Sequence, residues 1–206
     1  MAIPVSELQK LTPNSILELF ELQLVEGLHF ATGNPSNVPT LFRFHSGVNM
    51  NSNGNIVWQG NTYQRFPITC EGFERSGSGQ IPRPNLKMAN LGGITRSGSV
   101  ISVTDLLILC NLVTPHNDLL NAKLTRIMVT ADALDNVNFS SGTNPFGTPS
   151  ADELPREIYL INRKVSERRD FVEFELKGDL DKTNLRIPKR QVTRKDFPGV
   201  GTFINS

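Results

Sequence analysis

The chain has 206 residues, and its 21 Lys and Arg residues almost balance 20 Asp and Glu residues. This length suits one large domain, and the balanced charge argues against a body that clamps nucleic acid, since such domains are strongly basic. The first ten residues lack the charged start and apolar core of a signal peptide. The densest apolar run, Leu106–Cys110, is far shorter than the ~20 residues that span a bilayer, so we expect no membrane insertion.

The first predicted elements are a short helix and two extended segments. Val5–Leu11 is typical of a helix, with Ser6 as a candidate cap and Pro13 beyond its end. Ile16–Val25 is apolar with acidic interruptions, and its pattern fits either a helix or a strand. Leu41–His45 would be its neighbour in space.

A β-meander is predicted for the middle of the chain. Ile56–Trp58 and Thr62–Gln64 are β-favouring runs around a Gly-containing turn, which indicates a hairpin. Phe66–Phe73 continues the extended chain, and Pro67 favours an edge position or the start of a strand. Apolar and polar residues then alternate over Leu86–Leu91, as in a half-buried strand.

Ser102–Val113 is the clearest predicted helix. Ser102 or Thr104 can cap it, Asp105 suits its first turn, and Pro115 follows its end. The expected buried face consists of residues at helical spacing, namely Leu106, Leu109, Cys110 and Val113.

Strands and a long loop are expected after this helix. Ala122–Ala133 is apolar and β-prone, and Glu157–Val165 and Phe171–Leu176 form a second predicted hairpin. In the latter strand, Val172, Phe174 and Leu176 should share one face. Phe139–Leu154 between them is a Ser, Gly, Asn and Pro loop of a length that is usually functional or disordered.

No catalytic or metal-binding constellation is evident. The three histidines, His29, His45 and His116, have no second His or Cys at metal-ligand spacing, so we interpret them as surface or hydrogen-bonded residues. The Gly and Ser turn at 76–79 lacks the Lys and Ser/Thr ending of a phosphate loop. We therefore predict no catalytic residue, no cofactor and no metal, and we expect Trp58 and Phe66 to be core aromatics.

Two groups of basic residues allow two interpretations. One group belongs to the second hairpin and the other to the C-terminal segment: Arg163, Lys164, Arg168 and Arg169, and Lys189, Arg190, Arg194 and Lys195. They are either a solvated face or a charge-steered surface that faces another subunit.

A set of short motifs carries a resemblance to a known family. In chain order they are LFELQL at 19–24, VWQG at 57–60, TYQRFPI at 62–68, GFE at 72–74, PRP at 82–84, DNVNF at 135–139 and EIY at 157–159. Their order is similar to that in the minor tail protein L family of tailed bacteriophages, over most of the chain from Val5 to Val192. The resemblance implies that Ile16–Val25 is a strand. It also implies a mainly β (α+β) fold, a tail-tube-like β-barrel or sandwich with one or two short helices.

The resemblance also implies a function and partners. The expected protein is a structural component of the virion tail tip, assembled in the host cytoplasm, and no enzyme. It would form a homo-oligomeric ring, a trimer, that connects the tail tube to the central fibre or host-recognition protein. Its neighbours would be the tube or distal tail protein, the central fibre protein and the tape-measure protein, with DNA only as passing cargo in the lumen. The alternative is a small cytosolic β-barrel that binds a ligand or acts as an enzyme.

Cysteine usage departs from the longer members of that family. Those members continue into a cysteine-bearing domain that resembles an iron–sulfur site, and such clusters need about four thiolate ligands. The region after Pro188 contains no cysteine, and Cys70 and Cys110 precede it. We therefore expect a reduced protein without a cluster, built from one β-rich domain over 1–188 and an extended tail over 189–206.

Aromatic residues in the loop and the tail define the predicted assembly surfaces. Exposed aromatics on such segments are a liability for a monomer, whereas aromatic anchors are common at the centres of interfaces. We expect both segments to be poorly ordered in the free subunit. The predicted interface residues are Phe139, Phe146, Arg194, Phe197 and Phe203.

Overall fold

A computed structural model describes residues 3–33, 40–47, 54–74, 77, 82–90, 94–96, 99–181, 192–195 and 197–201. The fold is mainly β, as predicted. The elements are α1 (Val5–Leu8), β1 (Ile16–Gln23), β2 (Leu41–His45), β3 (Ile56–Trp58), β4 (Asn61–Arg65), β5 (Ile68–Glu71), β6 (Asn85–Ala89), β7 (Ile94–Arg96), β8 (Ser99–Ile101), α2 (Val103–Val113), β9 (Lys123–Thr130), β10 (Glu157–Glu167) and β11 (Phe171–Gly178). Short 3₁₀ turns span Ala131–Ala133, Asn136–Asn138 and Asp179–Asp181.

Nine of these strands form one sheet in the order β3-β4-β2-β1-β9-β10-β11-β6-β5, and β7 and β8 form a separate hairpin. β2 and β4 are parallel, and the other paired strands of the sheet are antiparallel. Of the predicted barrel or sandwich, a closed barrel is not formed over the described residues, because β3 and β5, at the two ends of the strand order, do not pair with each other. Phe66 and Pro67 alone separate β4 from β5. The three-residue step from Arg65 to Ile68 spans at most ~11 Å, so the sheet must curl until its two ends approach.

The curled sheet encloses the larger of two apolar cores. This inner core receives residues from β1, β2, β5, β6, β9, β10 and β11, and α2 packs into it. Its largest fully buried side chains include Phe20, Phe44, Phe66 and Phe174. Val172, Phe174 and Leu176 share this face of β11, as the alternation predicted.

α2 begins where the sequence predicted and buries a different face. Ser102 is its cap, and the Ser102 hydroxyl and the Asp105 carboxylate form a reciprocal capping box. The buried residues are Val103, Leu106, Leu107 and Cys110. Leu109 and Val113, which were predicted to be buried, are partly exposed. Because Leu106–Cys110 is apolar all round the helix, its periodicity could not identify the inward face.

The smaller, outer core lies on the opposite side of β1 and β9. There the β3–β4 hairpin covers Leu19, Ile127 and Val129 with Ile56, Trp58 and Tyr63, and Leu134 completes the cluster. Trp58 and Phe66 are each 1% exposed, which confirms both as core aromatics, one in each cluster.

The N-terminal helix is shorter than predicted. It spans Val5–Leu8 with Pro4 at its N-cap position, and no side chain caps it. Ser6 lies inside the helix and is therefore not the cap. Glu7 accepts hydrogen bonds from Lys10 and from the Asn14 amide, which pulls the chain away from the helical path soon after Leu8.

Candidate assembly surfaces

The motifs at 57–60 and 135–139 meet in the fold and close the outer edge of β3. The Val57 amide donates to Asn138 Oδ1 at 2.7 Å, and Asn138 Nδ2 donates to the Val57 carbonyl at 2.6 Å. The Asp135 carboxylate accepts the amides of Gln59 and Gly60 at 3.2 and 2.8 Å. Both turn residues have positive φ, 51° and 71°, as in the tight turns that match strand twist. These residues build the hairpin and carry no chemistry of their own.

The edge of β5 is different. The Ala89 amide donates to the Pro67 carbonyl at 2.9 Å, and this register places Thr69 opposite Lys87 as the next hydrogen-bonded pair. The amides and carbonyls of Ile68 and Cys70 therefore point away from β6. No strand of the described chain pairs with that side. As predicted, Pro67 marks the start of an edge strand.

A cavity of about 580 Å³ lies beside this free edge. Its charged lining consists of Glu18, Lys87 and Asp170. Glu18 pairs with Arg126, and Lys87 Nζ lies 3.9 Å from the ring centre of Phe171. Two of these three charges therefore have partners, and the lining shows no arrangement of acid and base for catalysis.

Arg126 is a charged residue near the cavity that pairs with two carboxylates. It lies on β9 between Glu18 and Glu157, with its guanidinium carbon 4.2 Å from the centre of the Phe73 ring. Nearby, burial raises the pKa of the Cys70 thiol to about 12. A thiol with such a pKa is protonated at neutral pH and is a poor nucleophile.

Among the residues that the structure describes, no group of three or more His, Cys, Asp or Glu side chains is arranged to hold a metal ion. His29 and His45 are buried, and burial lowers the pKa of each below the usual value. Each hydrogen-bonds to a backbone carbonyl, that of Leu120 and that of Gly54 respectively. Cys70 and Cys110 form no disulfide.

The loop over 139–154 is attached to the sheet by hydrogen bonds within the chain. Asn144 is 5% exposed, and its side-chain nitrogen lies 3.0 Å from each of the carbonyl oxygens of Ala131, Asp132 and Leu134, which share its two N–H donors. The Leu154 amide donates to the Met128 carbonyl at 2.9 Å. The expectation that this loop orders only on assembly stays a prediction.

The structure brings the two predicted loop aromatics together. The rings of Phe139 and Phe146 lie 5.9 Å apart in an edge-to-face contact. Phe139 packs against the outer core, whereas Phe146 is 49% exposed. Phe146 therefore remains a candidate for an interface, and Phe139 has a structural role as well.

The C-terminal residues Val192–Lys195 and Phe197–Gly201 form a small turn, which we call the C-terminal turn. Arg194 Nε donates to the Val200 carbonyl at 3.1 Å, and the Phe197 amide donates to the Thr193 carbonyl at 2.8 Å. Phe197 is exposed, as the interface hypothesis requires. Phe203, the last predicted interface residue, lies outside the described residues, as do Lys189 and Arg190.

Two of the four basic residues of the second hairpin are paired with carboxylates. Arg163 pairs with Glu175, and Lys164 pairs with Asp118 at 3.0 Å and with Glu167 at 2.8 Å. The hydrogen bond from Lys164 lowers the pKa of Glu167. These contacts favour the solvated-face interpretation over a charge-steered surface at this hairpin.

Sequence reasoning missed one surface. α2 turns Ile108, Leu109 and Leu112 toward solvent, with Leu112 76% exposed. The available signal was an apolar run that continues around the whole helix while only one side can face the core. Among the described helices, none is long and apolar enough to cross a membrane.

Residues 33–198 match the family model of the phage minor tail protein L. The chain belongs to the phage minor tail protein L family. This match includes both motifs that meet at β3, and it includes Phe139, Phe146, Arg194 and Phe197. The tail tip protein L of Escherichia phage lambda is similar over 101 residues, at 31% identity. That similarity covers 49% of this chain and 37% of the lambda protein, so the chain matches well under half of that relative.

Proposed function

We propose that this protein is a structural component of the phage tail tip, a hub that forms a ring between the tail tube and the central fibre or host-recognition protein. The observation that carries the proposal is the family match over residues 33–198. The name of the lambda relative, a tail tip protein, supports the position within the tail.

The chemistry of the described residues is consistent with a mechanical role. Tyr63 is an example of a buried titratable group whose hydrogen bond holds strands together. Its hydroxyl donates to Glu21 Oε1 at 3.0 Å, and burial raises its pKa well above the usual range. Two apolar cores on opposite sides of β1 and β9 make the sheet a rigid wall.

A ring of three copies constrains the interface. Closed cyclic symmetry above twofold requires a heterologous interface, in which one surface of each subunit meets a different surface of its neighbour. The partners in this proposal are further copies of the chain, the tube or distal tail protein, the central fibre protein and the tape-measure protein.

Complementation of a phage that lacks this gene tests the proposal. We expect particles without the protein to lack functional tail tips, and we expect a tagged chain supplied in trans to restore infectivity. Mass spectrometry of purified tails should detect the tagged chain, and electron microscopy should place it as a ring at the tip. Infectious particles without the protein would overturn the proposal and favour a cytosolic binding module or enzyme.

A further inference from the structure

The exposed side of α2 carries three apolar residues in a row that begins at an acidic residue. Asp105, Ile108, Leu109 and Leu112 follow the i, i+3, i+4, i+7 spacing of one helix face, and we call them the α2 stripe. Ile108, Leu109 and Leu112 are 54%, 37% and 76% exposed. The solvent side of a surface helix is normally polar, and contiguous exposed apolar side chains mark interaction sites.

The surroundings of the stripe contain acidic and no basic side chains along the chain. Residues 99–122 include no Lys or Arg. Asp105 accepts hydrogen bonds from the Ser102 amide and hydroxyl, which lower its pKa and keep it ionised at neutral pH. At the side of the helix, Asp118 and Glu167 share the single cation Lys164. The stripe therefore suits a partner that is apolar with basic residues beside the apolar contact.

The C-terminal turn has this composition. Val192, Phe197 and Val200 are 67%, 44% and 37% exposed. Arg194 and Lys195 lie between them in sequence and are exposed as well. The hydrogen bond from Arg194 to Val200 holds the turn in shape, so little ordering is needed when it docks.

The C-terminal segment and the rest of the chain have net charges of opposite sign. Residues 1–181 contain 15 Lys and Arg against 19 Asp and Glu, a net charge of −4. Residues 182–206 contain six Lys and Arg against one Asp, a net charge of +5. The C-terminal part of one copy is therefore attracted to the body of another, which favours association.

We propose that the α2 stripe of one copy binds the C-terminal turn of the next copy. This rests on the proposed ring, because the two surfaces differ and their pairing is the heterologous contact that a closed ring needs. Phe197 is the aromatic anchor of the contact, and Leu112 is the centre of its receiving surface.

Two variants and their mixture test the proposal. Leu112→Glu disrupts the stripe and Phe197→Glu disrupts the turn, and both side chains are exposed, so both variants should fold. The matched control is Val137→Glu, at an apolar residue 65% exposed and remote in sequence from both surfaces. Light scattering after size exclusion measures mass across a concentration series, and circular dichroism checks the fold.

We expect the wild type and Val137→Glu to form oligomers. Leu112→Glu alone and Phe197→Glu alone should each be monomeric at a concentration tenfold above that at which the wild type forms oligomers. The 1:1 mixture should form dimers and nothing larger, because one intact stripe and one intact turn remain between the two chains. A wild type that is monomeric throughout would overturn the proposal, as would single variants that oligomerise normally. A mixture that stays monomeric would show that the α2 stripe of one copy does not bind the C-terminal turn of another, and would also overturn it. Failure of the tail-tip proposal is distinguished by the virion assay, since a chain absent from tails can still associate head to tail.

Discussion

The two edges of the nine-stranded sheet differ in whether side chains cover their outward backbone groups. At β3, Asn138 and Asp135 satisfy the outward amides and carbonyl of the hairpin, although they lie some 75 to 81 positions away in sequence. At β5, Ile68 and Cys70 present backbone groups that no strand of the described residues pairs. Exposed strand edges promote unwanted pairing between molecules, and side chains that cover them prevent it. Two motifs that carry the family resemblance thus cover the β3 edge. The β5 edge has no such cover among the described residues.

The largest expected effect comes from removing the side chain under the closed edge. Trp58 is 1% exposed in the outer core, so Trp58→Ala should lower the free energy of unfolding by about 3–5 kcal/mol. Urea denaturation measures this. The matched change at the open edge, Thr69→Ala on the exposed side of β5, should stay within about 0.5 kcal/mol. An unchanged midpoint for Trp58→Ala with lost assembly would move Trp58 from the core to an interface.

Opening the β3 edge should have the next largest effect. Asn138 is fully buried and bonds to both backbone groups of Val57, so Asn138→Ala leaves the Val57 amide without its partner and the Val57 carbonyl with only the Asp135 amide, at 3.4 Å. We expect a loss of about 2–3 kcal/mol and a new tendency to self-associate. Val137→Ala in the same turn is the control and should change stability by less than about 0.5 kcal/mol, since Val137 is 65% exposed. Equal stability of the two variants would refute the role of Asn138 as an edge cap.

Acid should weaken the closed edge through His45. Its Nε2 bonds to the Gly54 carbonyl at 2.8 Å, just before β3, and burial lowers the pKa of the imidazole below the usual 6.5. The unfolded chain therefore binds the proton more tightly than the folded chain does. Stability should be constant above about pH 6.5 and fall as the pH drops through the folded pKa, by at most about 1.4 kcal/mol per unit of pKa difference.

Chemical denaturation from pH 8 to pH 5 measures this dependence. His45→Gln should show a shallower slope than the wild type, with the remainder due to His29, whose pKa burial also lowers. Identical slopes for the wild type and His45→Gln would exclude His45 as the source.

The smallest expected difference between the two edges is in hydrogen exchange of their backbone amides, which is measured without changing any residue. The Val57 amide is bonded to Asn138, so it should exchange slowly, whereas the outward amides of Ile68 and Cys70 should exchange faster. The Lys87 amide, which the register pairs with Thr69, is the internal reference for β5. Equal protection of Ile68 and Lys87 would show that the β5 edge has a partner after all.

The sequence predicted the strands well where local chemistry decides them. The hairpin turn at Gln59 and Gly60, the alternation of β6 and β11, and the Ser102 cap all depend on neighbours in sequence. The face of α2 was not predictable, because apolar residues surround the helix and the choice depends on the curled sheet. The edge cap was also missed. A buried Asn such as Asn138 is only explicable once Val57, distant in the chain, is beside it.

The pairing of β1 with β9 has a consequence for how the protein is made. Leu19 lies opposite Ile127. The two paired strands near the centre of the sheet are therefore separated by about half of the chain. A ribosome adding ~5–20 residues per second emits β9 some 5–20 seconds after β1. During that interval, the apolar residues of β1 have only β2 as a partner in the sheet. The nascent chain is therefore most exposed to aggregation before β9 emerges, and slower translation of the first 120 residues should lower the soluble yield.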